Sequence, residues 1–312
     1  MRMPAPNAWP SACRTSKASK THGSPWRRSP ATSCNGFSID ASALEYGKVA
    51  LRDFPSFDLA GGCNFRDIGG YATSSGSKVR RGVIYRSGVL TYLTPSDHEA
   101  IASTGIRTIV DLRRDDEIAE EPTAWPGPVR NLSWRLDEAI AASQRGAPWE
   151  HAASGAQACE WMVRSYATMK DWLVAPLRGI FDAVLEGGTP VLFHCAAGKD
   201  RTGFCAAMVL GLAGVDEEAI IADYTLTNTV VDLQAFAVTH RAAGMGLTDG
   251  KHPFEKMRPY VREALMRAEP AYLKSALDSV AASHGTIAGY ARQALGLDEA
   301  RIAAIRQHLL ED

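Results

Sequence analysis

Five residues lie between Cys195 and Arg201 in the run Thr-Pro-Val-Leu-Phe-His-Cys-Ala-Ala-Gly-Lys-Asp-Arg-Thr-Gly, residues 189–203. A thiol, a loop large enough for one phosphoryl group and an arginine at a helix start suit nucleophilic attack on phosphorus. Wrapped into a nest, the amides of Ala196, Ala197, Gly198, Lys199, Asp200 and Arg201 would face a single oxyanion. The helix that starts near Thr202 adds the positive end of its dipole. Arg201 can hold two phosphoryl oxygens with its planar fork, which a lysine cannot. The same field favours the thiolate of Cys195. His194 and Thr202 are placed to hydrogen-bond the loop or the sulfur, and Gly198 permits a tight bend. The chemistry implied is in-line attack by sulfur, a phosphocysteine intermediate and its hydrolysis, with no cofactor.

A buried cysteine after a strand is ordinarily core. Here the longer string decides, because Cys13, Cys34, Cys63, Cys159 and Cys205 have no arginine six positions on. Departure of an alkoxide or phenolate needs a proton. By residue type alone, Asp111, Asp115, Asp116, Asp137 and Asp171 are upstream candidates. Lys199, a second cation beside the loop, favours substrates carrying more than one phosphate, the alternative being a solvated side chain that only steers anions. Asp111 ends a β-branched stretch, Arg107 to Leu112, at the sheet edge where open α/β sheets place ligands. It is expected to hydrogen-bond the loop or Arg201, unless it caps a helix or faces solvent.

These residues, with Asn64-Phe-Arg-Asp-Ile-Gly-Gly-Tyr71, Arg86-Ser-Gly88, Asp111-Leu-Arg113 and Tyr224-Thr-Leu-Thr-Asn228, resemble the protein tyrosine phosphatase superfamily. More narrowly, the chain is similar to its atypical bacterial branch, which contains secreted mycobacterial and listerial tyrosine/lipid phosphatases. The similarity runs from about Phe57 to the C-terminus. It implies a tyrosine-phosphatase-like fold, Cys195 as nucleophile and Arg201 as phosphate clamp. It also implies activity on phosphotyrosine, sometimes phosphoserine and phosphothreonine, and phosphoinositides. That branch carries an aspartate inside the loop just before the arginine, and Asp200 matches it as general acid, the alternative being a role in structuring the loop. Lys199 and Arg201 favour the ionised form of Asp200, whereas a dianionic substrate and a Cys195 thiolate oppose it. Asn64 to Tyr71 is expected to pack near the loop, braced by an Arg66–Asp67 ion pair, unless it is a plain hairpin turn. Tyr224 to Asn228 is expected to begin helices that cover the site.

The elements that position these groups follow from periodicity and punctuation. Strands are expected near 83–86, 107–111, 129–133 and 190–194. Helices are expected at 95–104, 158–186, 203–213, 215–228, 252–267, 270–284, 287–295 and 298–310. The architecture is α/β: a central, mostly parallel sheet flanked by helices, with a helical C-terminal half. Residues 229–268, with Val230, Leu233, Phe236, Phe254 and Met257, form either a helical lid or an ordinary helical subdomain. Leu273, Leu277 and Val280, and likewise Ile302, Ile305 and Leu309, recur at helical spacing as core.

Of 34 Lys and Arg, six fall in residues 1–39 without an acid, leaving 28 against all 35 Asp and Glu. The division is a basic, Ser- and Pro-rich extension over 1–50, expected to be disordered and lacking the apolar core of a secretory signal, and a phosphatase domain over 51–312. No nucleic-acid motif and no stretch of ~20 apolar residues is present. His98, His151, His240, His252, His284 and His308 are scattered, so no metal site is expected. The unevenly spaced cysteines make no disulfide framework, and a reduced, cytoplasmic compartment suits a thiolate enzyme. The resemblance leaves non-classical export open. The expected partners are phosphorylated proteins or phosphoinositides. The alternatives are a rhodanese-like sulfurtransferase, which also holds a cysteine in an anion-binding loop, and a phosphate-binding protein of weak activity.

Overall fold

The computed structural model describes residues 57–136, 152–241 and 257–312. The N-terminal extension, Asp137, His151, His252, Phe254 and the glycines of the 229–268 segment lie outside the described residues. In chain order the strands are β1 (Arg66–Asp67), β2 (Lys78–Val79), β3 (Ile84–Ser87), β4 (Thr108–Asp111), β5 (Arg130–Ser133), β6 (Val191–His194) and β7 (Leu310–Glu311). Five make one sheet in the order β1-β3-β6-β4-β5, with β3, β6, β4 and β5 parallel and β1 antiparallel on the edge. β2 and β7 pair separately.

The helices are α1 (Pro95–Ile101), α2 (Asp115–Glu120), α3 (Gly155–Ala167), α4 (Met169–Trp172), α5 (Val174–Leu185) and α6 (Asp200–Ala213). They continue with α7 (Glu217–Val230), α8 (Leu233–Phe236), α9 (Pro259–Met266), α10 (Pro270–His284), α11 (Ile287–Gln293) and α12 (Glu299–Leu309). The single helix expected over 158–186 is instead three, α3, α4 and α5. Pro176 explains the restart, because a proline fits the first turn of a helix but clashes within one.

β6 is flanked by parallel strands on both sides, and Val191, Leu192 and Phe193 are fully buried. Burial on both faces is why these three residues are apolar in succession rather than alternating with polar ones. Its Leu192 lies in register with Tyr85 and Ile109, and this row joins Leu59, Phe65, Leu90, Leu93 and Ile101 in one cluster. Each such side chain contributes roughly 1.5–3 kcal/mol. α5 and α6 cover the sheet, and α12 packs on both. Leu273, Leu277, Val280, Ile302, Ile305 and Leu309 are all buried, as core.

The register aligns Ser87, His194, Asp111 and Ser133 in one row at the carboxyl ends of the parallel strands. β6 is inserted between strands that precede it in sequence, so the loop that follows it leaves the middle of the sheet. There an open α/β sheet has a crevice. The loop turns at Gly198, whose φ of +65° lies in the left-handed region. A Cβ there would stand 2.5 Å from the Gly88 amide nitrogen and 2.6 Å from the Ser87 carbonyl. Gly203 has a different reason, since a Cβ on α6 would meet the Tyr224 ring at 2.8 Å.

Gly198→Ala is therefore expected to lower stability by about 1–3 kcal/mol through backbone strain, read from urea unfolding followed by circular dichroism. An unchanged midpoint would contradict the close approach of the loop to β3.

Candidate active site

Cys195 is the first residue after β6 and is 2% exposed. The loop behind it is held by its carbonyl oxygens. Val89 N–H donates to the Ala196 carbonyl at 3.0 Å. The Asn64 amide group donates to the Gly198 carbonyl at 2.7 Å, and the Arg86 guanidinium reaches the same oxygen at 2.8 Å. At the near end, Leu112 N–H takes the His194 carbonyl at 2.8 Å; at the far end, Gly203 N–H takes that of Lys199 at 2.7 Å. With the carbonyls engaged outward, the backbone amides of residues 196–201 donate to no acceptor among the described residues. They adjoin the N-terminus of α6, where a helix favours negative charge.

The support behind Gly198 is a buried ionic cluster. Asp223 of α7 accepts from Arg66 Nε at 3.2 Å and Arg86 Nη1 at 2.5 Å, and all three side chains are at most 2% exposed. Burial opposes ionisation of Asp223, but the two guanidinium groups outweigh it and hold the carboxyl below its usual range. Burial and then the Arg86 charge push Arg66 down to about 10, so it stays charged at neutral pH. Two cations against one carboxylate leave net positive charge beneath the loop. The expected Arg66–Asp67 pair is therefore corrected: Arg66 turns to Asp223, while Asp67 accepts the Gly69 and Gly82 amides. The segment from Asn64 does pack on the loop as expected.

Arg201 lies in the first turn of α6, and its fork is met by Glu117 of α2 at 2.7 and 2.9 Å. One of its nitrogens also donates to the Leu112 carbonyl at 3.1 Å. Burial raises the Glu117 carboxyl, but Arg201 dominates and lowers it to about 2. Glu117, like Asp223 and Tyr166, is a residue that sequence reasoning missed; it is concealed at the end of the charged run Arg113 to Glu117. The available signal was its place just beyond a parallel strand's carboxyl end, on the edge where the loop lies.

Three further expectations are corrected. Asp111 reaches neither the loop nor Arg201; Arg113 folds back onto it at 2.7–3.1 Å, and Thr123 also donates to it. Asp111 instead lies 3.5 Å from His194 Nε2, while His194 Nδ1 is 3.4 Å from the Cys195 carbonyl. Burial outweighs Asp111 and pushes the imidazole below its ordinary value, which keeps it neutral at pH 7. Lys199 is neither solvated nor turned toward a second phosphate. It is fully buried, donating to the Leu265 and Arg267 carbonyls at the end of α9, with Nζ 5.9 Å from the Tyr272 ring centre. Unpaired carbonyls at a helix C-terminus attract an ammonium group.

Tyr224 to Asn228 does not begin a helix but lies inside α7, where each polar group has a task. Tyr224 meets the Tyr166 hydroxyl at 2.6 Å, Thr227 accepts from Asn64, and Asn228 brackets Ala268. Asp200 keeps one oxygen, Oδ1, against Tyr166 at 2.5 Å and Lys199 at 3.2 Å. Thr202 Oγ1 is buried and has no partner among the described residues. Of the upstream aspartates, Asp116 pairs with Arg114 and Asp171 with Lys170. Among the described residues no three His, Cys, Asp or Glu side chains gather as a metal site, and no helix is long and apolar enough to cross a membrane.

A parallel sheet delivers a cysteine loop and an arginine to the start of a helix, an arrangement suited to phosphate esters. The chain belongs to the tyrosine phosphatase family, whose model matches residues 57–311, and it is a phosphatase. It is 30% identical over 247 residues to a protein of Cupriavidus necator named as a tyrosine-protein phosphatase, covering 79% of this chain and 85% of that one. It is 29% identical over 287 residues to the triple specificity protein phosphatase PtpB of Mycobacterium tuberculosis, covering 84% of this chain and all of that one. The solved structure of Pseudomonas aeruginosa TpbA shares 19% identity over 53% of this chain and 90% of that one at a TM-score of 0.29, which adds nothing to the assignment.

Glu117→Gln should lower kcat/KM on an aryl phosphate by about 10²-fold through a misplaced guanidinium, with substrate turnover as the readout. The same variant tests linkage. An ordinary glutamate titrates near 4.5 and Glu117 at about 2, so its contribution is complete above 4.5 and is lost as pH falls toward 2. The variant should lose less stability than the parent across that interval.

Proposed function

We propose that the chain hydrolyses phosphate monoesters, phosphotyrosine foremost, through a phosphocysteine at Cys195. The observation that carries this reading is the pairing of outward-held carbonyls with free amides over residues 196–201. Three equatorial phosphoryl oxygens need donors that are already in place, and such preorganised donors do most of the work in phosphoryl transfer. The sulfur attacks phosphorus in line. The S–P bond forms as the P–O bond to the leaving group breaks. Asp200, protonated on Oδ2, gives its proton to the departing oxygen. A water then attacks, Asp200 takes its proton, the P–S bond breaks, and phosphate leaves. Arg201, aimed by Glu117, binds phosphoryl oxygens in both steps. We assign the unpartnered Thr202 hydroxyl to the sulfur as it departs.

The name of the Mycobacterium tuberculosis relative supports assays beyond phosphotyrosine. Activity on phosphoinositides keeps only the resemblance as support, because Lys199 is engaged at the end of α9. The sulfurtransferase alternative is dropped with the family assignment.

Cys195→Ser should abolish release of p-nitrophenol from its phosphate, by at least about 10³-fold, while vanadate inhibits the parent. Turnover retained in the serine variant would refute the nucleophile. Lys199→Met should lower the melting temperature and leave the ratio of kcat/KM for inositol bisphosphates over monophosphates unchanged. A selective loss on the bisphosphates would restore a substrate role to that cation.

A further inference from the structure

Three buried tyrosines from three helices surround Asp200 on the side away from solvent. Tyr166, in the last turn of α3, donates to Asp200 Oδ1 at 2.5 Å. The Tyr224 hydroxyl of α7 lies 2.6 Å from that of Tyr166. The Tyr272 ring of α10 packs against Tyr166 with centroids 5.7 Å apart, and its own hydroxyl is directed to the Ala264 carbonyl. Tyr166 and Tyr224 are 0% and 1% exposed. Burial first, and then the Asp200 charge, push both phenols well above their ordinary value, so both remain protonated donors.

The arrangement is one-sided. Lys199 Nζ also lies on Oδ1, at 3.2 Å. Oδ2 takes no hydrogen bond among the described residues, and the Asp200 side chain is 29% exposed. With Tyr166 and Lys199 both donating to Oδ1, the proton of the neutral acid is left to Oδ2.

We propose that Tyr166, held in place by Tyr224, is a positioning residue for the general acid: it occupies Oδ1, so that the transferable proton resides on Oδ2. This rests on the assignment of Asp200 as acid made above. The consequence is chemical as well as geometric. A donor on Oδ1 stabilises the carboxylate left once the proton has gone to the leaving oxygen. It also fixes which way Asp200 donates. The charged and titratable groups facing Asp200 are Lys199 and Arg201 of its own segment and Tyr166, Tyr224 and Tyr272 of the packed helices. Of the three neutral tyrosines, Tyr166 is the one that hydrogen-bonds Asp200 directly.

The test compares Tyr166→Phe, Asp200→Asn and the double variant on an alkyl phosphate and on p-nitrophenyl phosphate, across pH. Asp200→Asn alone should slow the alkyl substrate far more than the aryl one. Equal losses would overturn the acid assignment itself, and the proposal with it. Given that result, Tyr166→Phe should cost roughly tenfold in kcat on the alkyl substrate, a part of the full acid effect, and much less on the aryl one. Because the lost donor favoured ionisation, the basic limb of the alkyl profile should move to higher pH. In the Asp200→Asn background the same change should cost nothing further. Tyr224→Phe, which leaves Tyr166 intact, should move the limb in the same direction by less. An unmoved limb, or an equal Tyr166→Phe loss in both backgrounds, would reduce Tyr166 to packing and overturn the proposal.

Discussion

Everything at the site depends on where the carbonyl oxygen of Gly198 points. Peptide planarity links each carbonyl to the amide that follows it on the opposite side. A loop whose carbonyls are drawn outward must therefore present its amides the other way. Arg86 and Asn64 draw that oxygen outward, Val89 draws the Ala196 carbonyl, and glycine at 198 lets the chain turn there. The loop from Cys195 to Arg201 is thus shaped from behind, by residues on other elements.

That grip carries a cost. Asp223, Arg66 and Arg86 are charges taken almost wholly out of water. A buried ionic cluster is seldom a net gain over apolar packing, yet removing one partner costs about 3–5 kcal/mol. The cluster is better understood as a device for position than for stability. It fixes the β3 end, the Asn64 turn and α7 around a single oxygen and leaves net positive charge beneath the loop. Glu117 does for the guanidinium of Arg201 what Arg86 does for the loop, setting its direction before substrate arrives.

The centre of this arrangement was legible in the sequence, because the string from His194 to Gly203 combines a strand end, a turn glycine and a helix start within ten residues. The four parallel strands were legible too, because each is a short stretch with apolar residues that begins within three residues of a glycine or proline, Gly82, Gly105, Pro128 or Pro190. Long-range partners were not. Asp223 lies 137 residues from Arg86, and no local pattern distinguishes it from a solvated helix acid. Glu117 was hidden by the charges around it. Lys199 misled for the opposite reason: a lysine in a phosphate loop suggests substrate, and only the packing of α9 supplies the carbonyls that claim it. The break of the long helix was signalled by Pro176, whose meaning depends on the frame in which the helix restarts.

The central claim is that sulfur at 195 forms a bond to phosphorus while the loop amides and Arg201 hold the oxygens. Acid quenching during turnover of p-nitrophenyl phosphate, followed by mass spectrometry of the digested enzyme, tests it most directly. The account predicts one added phosphoryl group on the peptide bearing Cys195 and on no other. Steady turnover with that peptide unmodified, or with the phosphoryl group on a different side chain, would contradict it.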